Sequence, residues 1–224
     1  MDFKIEISEK TRPVIQILNK QLLRGVIEAI YYKLTGGETN EIIVMDKEKN
    51  VSFPSSVYIL DSPNALEINS KKHINQLYKR IEEMLNISYD TKLRIMNCVN
   101  EISCIIDKES MNLSFDVHHD DDLSTSSLLK ALNYKIDSSL TNILERLYSF
   151  IDIVCEFRSY ELLIFIDITF YLNDAELEKL FGYMECNKIL FLLIESKSYS
   201  RLSNETVYLV DEELFESVDY YFDS

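Results

Sequence analysis

The chain has 224 residues, 46% of them hydrophobic, with only four Gly and three Pro and a formal charge of −15. This apolar content is enough for a genuine core, which excludes a disordered chain, and the lack of a Ser/Gly/Pro-rich linker argues against flexibly tethered modules. The net charge is adverse to nucleic acid approaching an average part of the surface, because phosphate contact needs Lys and Arg.

Met1-Asp2-Phe3-Lys4-Ile5-Glu6 alternates charge with apolar residues and lacks the unbroken apolar region of a signal peptide. Phe3 to Ile7 reads as a strand, and Pro13 to Leu18 as its hairpin partner. From Asn19 to Leu34 the spacing of Leu22, Leu23, Val26, Ile27 and Ile30 is helical, and Gly36-Gly37 ends the helix. Ile42 to Met45 and Val57 to Leu60 are short apolar strands. Beyond Pro63 four helical stripes follow: Ile74 to Leu85; Leu93, Met96, Val99, Ile102 and Ile106; Leu128, Leu129 and Leu132; and Leu140 to Val154. Leu162-Leu163-Ile164-Phe165-Ile166 and Ile189-Leu190-Phe191-Leu192-Leu193-Ile194 are continuous apolar strands, as in a sheet covered on both faces. Asn173-Asp174-Ala175-Glu176 between them has the form of a capping box, so the three elements read as a βαβ unit with parallel strands. Val207 to Val210 adds a strand, and the Tyr-rich segment from Val218 to Phe222 reads as packing material. The predicted organisation is an α/β head (1–66 and 159–224) interrupted by a helical insertion (67–158).

The longest apolar run, 162–168, contains Asp167 and is too short to span a bilayer. Cys98, Cys104, Cys155 and Cys186 sit singly, without a CxxC pair, and read as buried free thiols in a reducing cytoplasm. His73, at a Lys-rich helix start, reads as a surface residue.

Charge is unevenly placed. From Glu101 to Asp122 there are seven acids and one base, and from Glu205 to the C-terminus seven acids and no base. From Lys71 to Arg94 there are six bases against three acids, so a polarised surface is compatible with the acidic total. The densest set of metal-ligating side chains is Asp116-Val117-His118-His119-Asp120-Asp121-Asp122. Hard cations take several oxygen ligands, so this run is a candidate Ca²⁺ site. The His pair leaves a transition-metal or nuclease site open, and a solvated loop is the plain alternative. The strand ending in Asp167 has the form of a Walker B segment. No GxxxxGK[ST] loop accompanies it, since Gly36-Gly37 is followed by Glu38-Thr39-Asn40, so a nucleotide site is not expected.

Glu161-Leu162-Leu163-Ile164-Phe165-Ile166-Asp167, then Leu172-Asn173-Asp174-Ala175-Glu176-Leu177, then Ile189 to Glu195 and Tyr208-Leu209-Val210-Asp211-Glu212-Glu213 resemble in order and spacing the accessory adaptation protein of type II-A CRISPR loci. Residues 46–85 run with the same family. The resemblance implies an α/β fold with a P-loop-like head sheet without a nucleotide site and an inserted helical leg. It further implies a non-catalytic protein whose four subunits close a ring, a homotetramer stabilised by Ca²⁺, through whose lysine-lined hole double-stranded DNA ends thread. Its implied partners are the spacer integrase complex and the RNA-guided nuclease, in spacer acquisition. Carried over by position, Asp116, Asp120 and Asp121 fall on acidic calcium ligands, with Asp122 in the same run. Lys92, Lys130 and Lys135 fall on basic leg positions and are the expected phosphate contacts. The sequence departs from relatives at His119, at Ser126-Ser127 and at Ser159-Tyr160-Glu161.

On this reading four copies would carry −60, and DNA would meet cations only where lysines from several subunits converge. Two other readings remain open at this point. One is a metal-dependent nuclease or degenerate NTPase using the 116–122 cluster or Asp167. The other is an acidic protein–protein adaptor without DNA binding.

Overall fold

The computed structural model describes residues 5–8, 11–39, 42–46, 49–118 and 124–221. The chain divides into two units, one of residues 1–68 and 138–224 and the other of residues 69–137.

The first unit is built on a sheet of β1 (Arg12–Ile17), β4 (Val57–Leu60), β5 (Leu162–Ile166), β6 (Leu190–Glu195), β7 (Glu205–Val210) and β8 (Glu216–Tyr220) in the order β4-β5-β6-β1-β7-β8. The first five strands run parallel and β8 closes the edge antiparallel. Two two-residue strands, β2 (Met45–Asp46) and β3 (Lys49–Asn50), pair with each other.

The continuous apolar strands are buried because helices cover both faces. On one face Val57, Leu162, Ile164, Ile166, Leu192 and Ile194 cluster with Ile30 of α1 (Lys20–Leu34) and Phe53 of α2 (Phe53–Ser56). The alternate side chains point the other way. There Tyr58 meets Phe150 of α6 (Ile143–Phe157) at 4.6 Å between ring centroids, and Phe191 stacks on Phe181 of α7 (Asp174–Cys186) at 5.2 Å. Each such side chain contributes about 1.5–3 kcal/mol through burial. The α7 start is the expected capping box: Asn173 Oδ1 accepts from Glu176 N at 3.0 Å, and Glu176 Oε2 accepts from Asn173 N at 3.0 Å.

The second unit holds α3 (Lys71–Ile87), α4 (Tyr89–Ser110) and α5 (Thr125–Ala131), with α3 against both others. Its two ends are clamped together. Asn69 donates to Ile136 O and accepts from Ile136 N, both at 2.9 Å, and Tyr78 Oη donates to Tyr134 O at 3.1 Å.

Several expectations need correction. The expected insertion 67–158 is longer than the helical unit, because α6 belongs with the sheet. Parallel neighbours need a crossover, and α6 supplies it between β4 and β5; its stripe reads like those of α3 and α4 but faces strands. The expected N-terminal hairpin does not form among the described residues: 5–8 are not a strand, and β1 pairs in parallel with β6 and β7. Ile5 and Ile7 nonetheless pack on the core, which explains their alternation. His73 is fully buried rather than superficial. Cys98, Cys104 and Cys186 are exposed and Cys155 half-buried, all free, so they are not core thiols. Of the expected C-terminal packing segment, Val218 to Tyr220 belong instead to β8, which is exposed at all five positions, and Phe222 lies outside the described residues.

Candidate functional site

The basic residues singled out from sequence all lie in the helical unit. Lys92 is exposed in the first turn of α4, where its Nζ donates to Asn86 Oδ1 at 3.0 Å. Lys130 occupies the last turn of α5, where a cation complements the helix dipole, and Lys135 follows that helix; both are exposed. Among the described residues none of the three takes part in an ion pair, so their ammonium groups stay available to an anion.

The unit also departs from the chain's overall charge. Residues 69–137 hold nine Lys and Arg against eleven Asp and Glu, a balance of −2, which leaves −13 of the −15 to the sheet unit. Three of those eleven acids are Asp120, Asp121 and Asp122.

α4 has no buried residue along its 22 positions. The stripe that sequence places on one face is largely open to solvent: Leu93 is 43% exposed, Met96 53%, Ile102 56% and Ile106 59%, with Ile105 beside them at 63%. A long amphipathic helix that leaves this much apolar surface in water is built to be covered.

Asp116 is exposed and lines an open concavity of about 520 Å³ with Asp107, Ser110, His118 and the apolar Met111 and Phe115. Ser110 Oγ donates to Asp107 O at 2.9 Å. Asp120, Asp121, Asp122 and His119 lie outside the described residues. Among the described residues no three His, Cys, Asp or Glu side chains converge on one point. The oxygen donors of Asp107, Ser110 and Asp116 are of the kind a hard cation accepts, but by themselves they are fewer than a Ca²⁺ shell requires.

At the C-terminal ends of β5 and β6 lies a second polar group, of which sequence marked only Asp167. Asp167 has φ 51°, and its Oδ1 accepts from Ser196 N at 2.7 Å while its own N donates to Ile194 O at 2.8 Å. It therefore ties the two strand ends together. Glu195 beside it is 1% exposed and accepts from Thr169 Oγ1 at 2.6 Å. Burial pushes its carboxyl up to about 7, against the Thr169 hydrogen bond and with the Asp167 charge adding to the rise. The signal for Glu195 was an acid ending an apolar strand, the same pattern that marked Asp167. The β1–α1 connection, where a P-loop would stand, is two residues long. Asn19 Oδ1 already accepts from Gln21 N and Leu22 N at 3.1 and 3.0 Å, so those helix amides are turned to a cap rather than to a phosphate.

A profile of the family described as CRISPR-associated protein (Cas_Csn2) matches residues 35–214, most of the chain. The chain belongs to the Csn2 family. A CRISPR-associated protein Csn2 of Enterococcus faecalis is 25% identical over 215 residues, 96% of this chain and 94% of the relative. Another, of Streptococcus agalactiae, is 22% identical over 170 residues, 76% of this chain and 75% of the relative. The fold is shared with the crystal structure of Stu0660 of Streptococcus thermophilus, at a TM-score of 0.60 and 14% identity over 95% of this chain and 72% of that one. The Csn2 match includes Lys92, Lys130, Lys135 and the 116–122 run but neither β1 nor β8. Among the described residues no helix is long and apolar enough to cross a membrane.

Proposed function

We propose that this member of the Csn2 family is a non-catalytic, sequence-independent clamp for double-stranded DNA ends that serves spacer acquisition in type II-A CRISPR immunity. It acts in the cytoplasm as a homotetrameric ring beside the spacer integrase complex and the RNA-guided nuclease. The observation that carries the reading is the composition of the helical unit. It joins Lys92, Lys130 and Lys135, all outside ion pairs among the described residues, to a 22-residue helix with no buried position, while the sheet unit takes −13 of the charge. Covering α4 with a second copy removes its apolar stripe from water and brings lysines of different copies together. Phosphates are then attracted to that place and repelled elsewhere. Asp116, Asp120, Asp121 and Asp122 are the residues that would hold Ca²⁺, which would neutralise a run of like charges between α4 and α5.

The test compares linear and covalently closed duplex DNA, with Ca²⁺ and with EDTA, while the mass of the protein is measured. Tetramers that capture linear duplex, spare closed circles and weaken with salt and EDTA are expected. A calcium-indifferent monomer that ignores linear DNA at low salt would overturn the proposal.

A further inference from the structure

β8 ends the sheet, and among the described residues no further strand pairs with it beyond β7. The direction of its backbone groups follows from two bonds flanking the ladder. Tyr221 N donates to Glu205 O at 2.8 Å, and Asp211 N to Phe215 O at 3.1 Å. With Val207 opposite Asp219 and Leu209 opposite Ser217, the odd-numbered residues of β8 face β7. Alternation in an antiparallel pair then turns the N–H and C=O of Glu216 and Val218 outward, toward the open edge. Native edges are blunted by charged side chains, Pro, bulges or a covering element, and here the charges are Glu216 and Asp219, which repel anionic partners and leave the edge open to a cationic one. This strand has no Lys or Pro, and Val218 is 40% exposed, with Leu214 and Phe215 ahead of it at 56% and 71%.

The charge along the edge selects what can pair there. Asp211, Glu212, Glu213, Glu216 and Asp219 lie on or beside β8, and no Lys or Arg occurs from Glu205 to the C-terminus. Duplex DNA is repelled by such an edge. A second copy laid strand against strand would bring two such acidic edges together, an accumulation of like charge that disfavours this pairing. A Lys/Arg-bearing extended peptide satisfies both the outward backbone groups and the carboxylates. We infer that the β8 edge is a docking site for a basic extended segment of another protein, taken up as an added strand. The inference does not depend on the DNA-binding reading.

A Lys-Val repeat peptide is the probe, with a Glu-Val repeat as its control, titrated into the full chain by fluorescence anisotropy and followed by amide hydrogen exchange. Binding of the basic peptide with new protection at the Glu216 and Val218 amides is expected, and no binding of the acidic one. Val218→Pro deletes one outward N–H and no bond to β7, and should weaken binding by about tenfold. Glu216→Lys with Asp219→Lys keeps the backbone edge and should weaken it similarly. Binding that survives Val218→Pro in a protein that melts normally, binding of the acidic control, or no protection at the edge each overturns the inference. So does mass evidence that β8 already pairs two copies, lost on Val218→Pro.

Discussion

Glu195 ends an inner strand with its carboxyl out of water, and this has a pH signature. Its folded value of about 7 lies above the ordinary 4.5, so the fold disfavours the charged form. Its share of stability is complete below the ordinary value and is lost as the pH rises through the folded one. Glu195→Gln keeps the size and an acceptor for Thr169 Oγ1 without the charge. It should raise the melting temperature at pH 8, by a free energy on the order of 3 kcal/mol at most, and leave it nearly unchanged at pH 4. Arg12 presents the opposite case. It is 4% exposed, bonded by Nε to Glu185 at 2.6 Å and by Nη1 to Glu178 at 2.7 Å. Burial works against its charge, but the hydrogen bonds to Glu185 and Glu178 more than offset it and push its pKa up. Arg12→Met should cost about 1–3 kcal/mol by urea denaturation, less than for a wholly buried pair, because both carboxylates can be rehydrated. Neither residue was legible in the sequence as a buried charge. Arg12 starts a strand and Glu195 ends one, and what buries them is α7 and the 3-10 turn Ile168–Phe170, which pack there only after folding.

The elements whose local chemistry is self-sufficient were the readable ones. β5 and β6 are uninterrupted apolar runs, and the α7 capping box closes within four residues, so Asn173→Ala should cost about 1 kcal/mol of stability in a thermal melt. β8 was missed because its acids and exposed aromatics carry no core pattern. Its strand character comes from pairing with β7, which no local window contains. The N-terminal pairing was misassigned for the same reason, since the partners of β1 lie at the other end of the chain. The apolar stripe of α4 is legible in the sequence and its periodicity is real; what the pattern cannot specify is whether the covering surface belongs to the same molecule. Met96→Glu with Ile105→Glu tests this. Both side chains are exposed within one copy, so the monomer's stability should stay within about 0.5 kcal/mol, while the assembled mass should fall in light scattering. An unchanged mass would remove α4 from the contacts between copies.

The segregation of charge belongs to the molecule as a whole. If lysines of the helical unit meet the phosphates, Lys92→Ala, Lys130→Ala and Lys135→Ala together should weaken linear-duplex binding equally across sequences. The slope of log K against log salt should fall by about 0.9 for every phosphate contact removed. The order of the sheet has a different consequence, for synthesis. β1 is the first strand of the sheet to be made and lies at its centre, yet Val14 is opposite Leu193 and Val207, about 180 and 190 positions later. At ribosomal rates of about 5–20 residues per second, the strand waits roughly 10–40 s for its neighbours. The contacts of α3 with α4 and α5 join residues of one stretch, all synthesised within that interval. A nascent chain truncated before β6 therefore carries an unpaired central strand, the part of this protein most in need of chaperone cover.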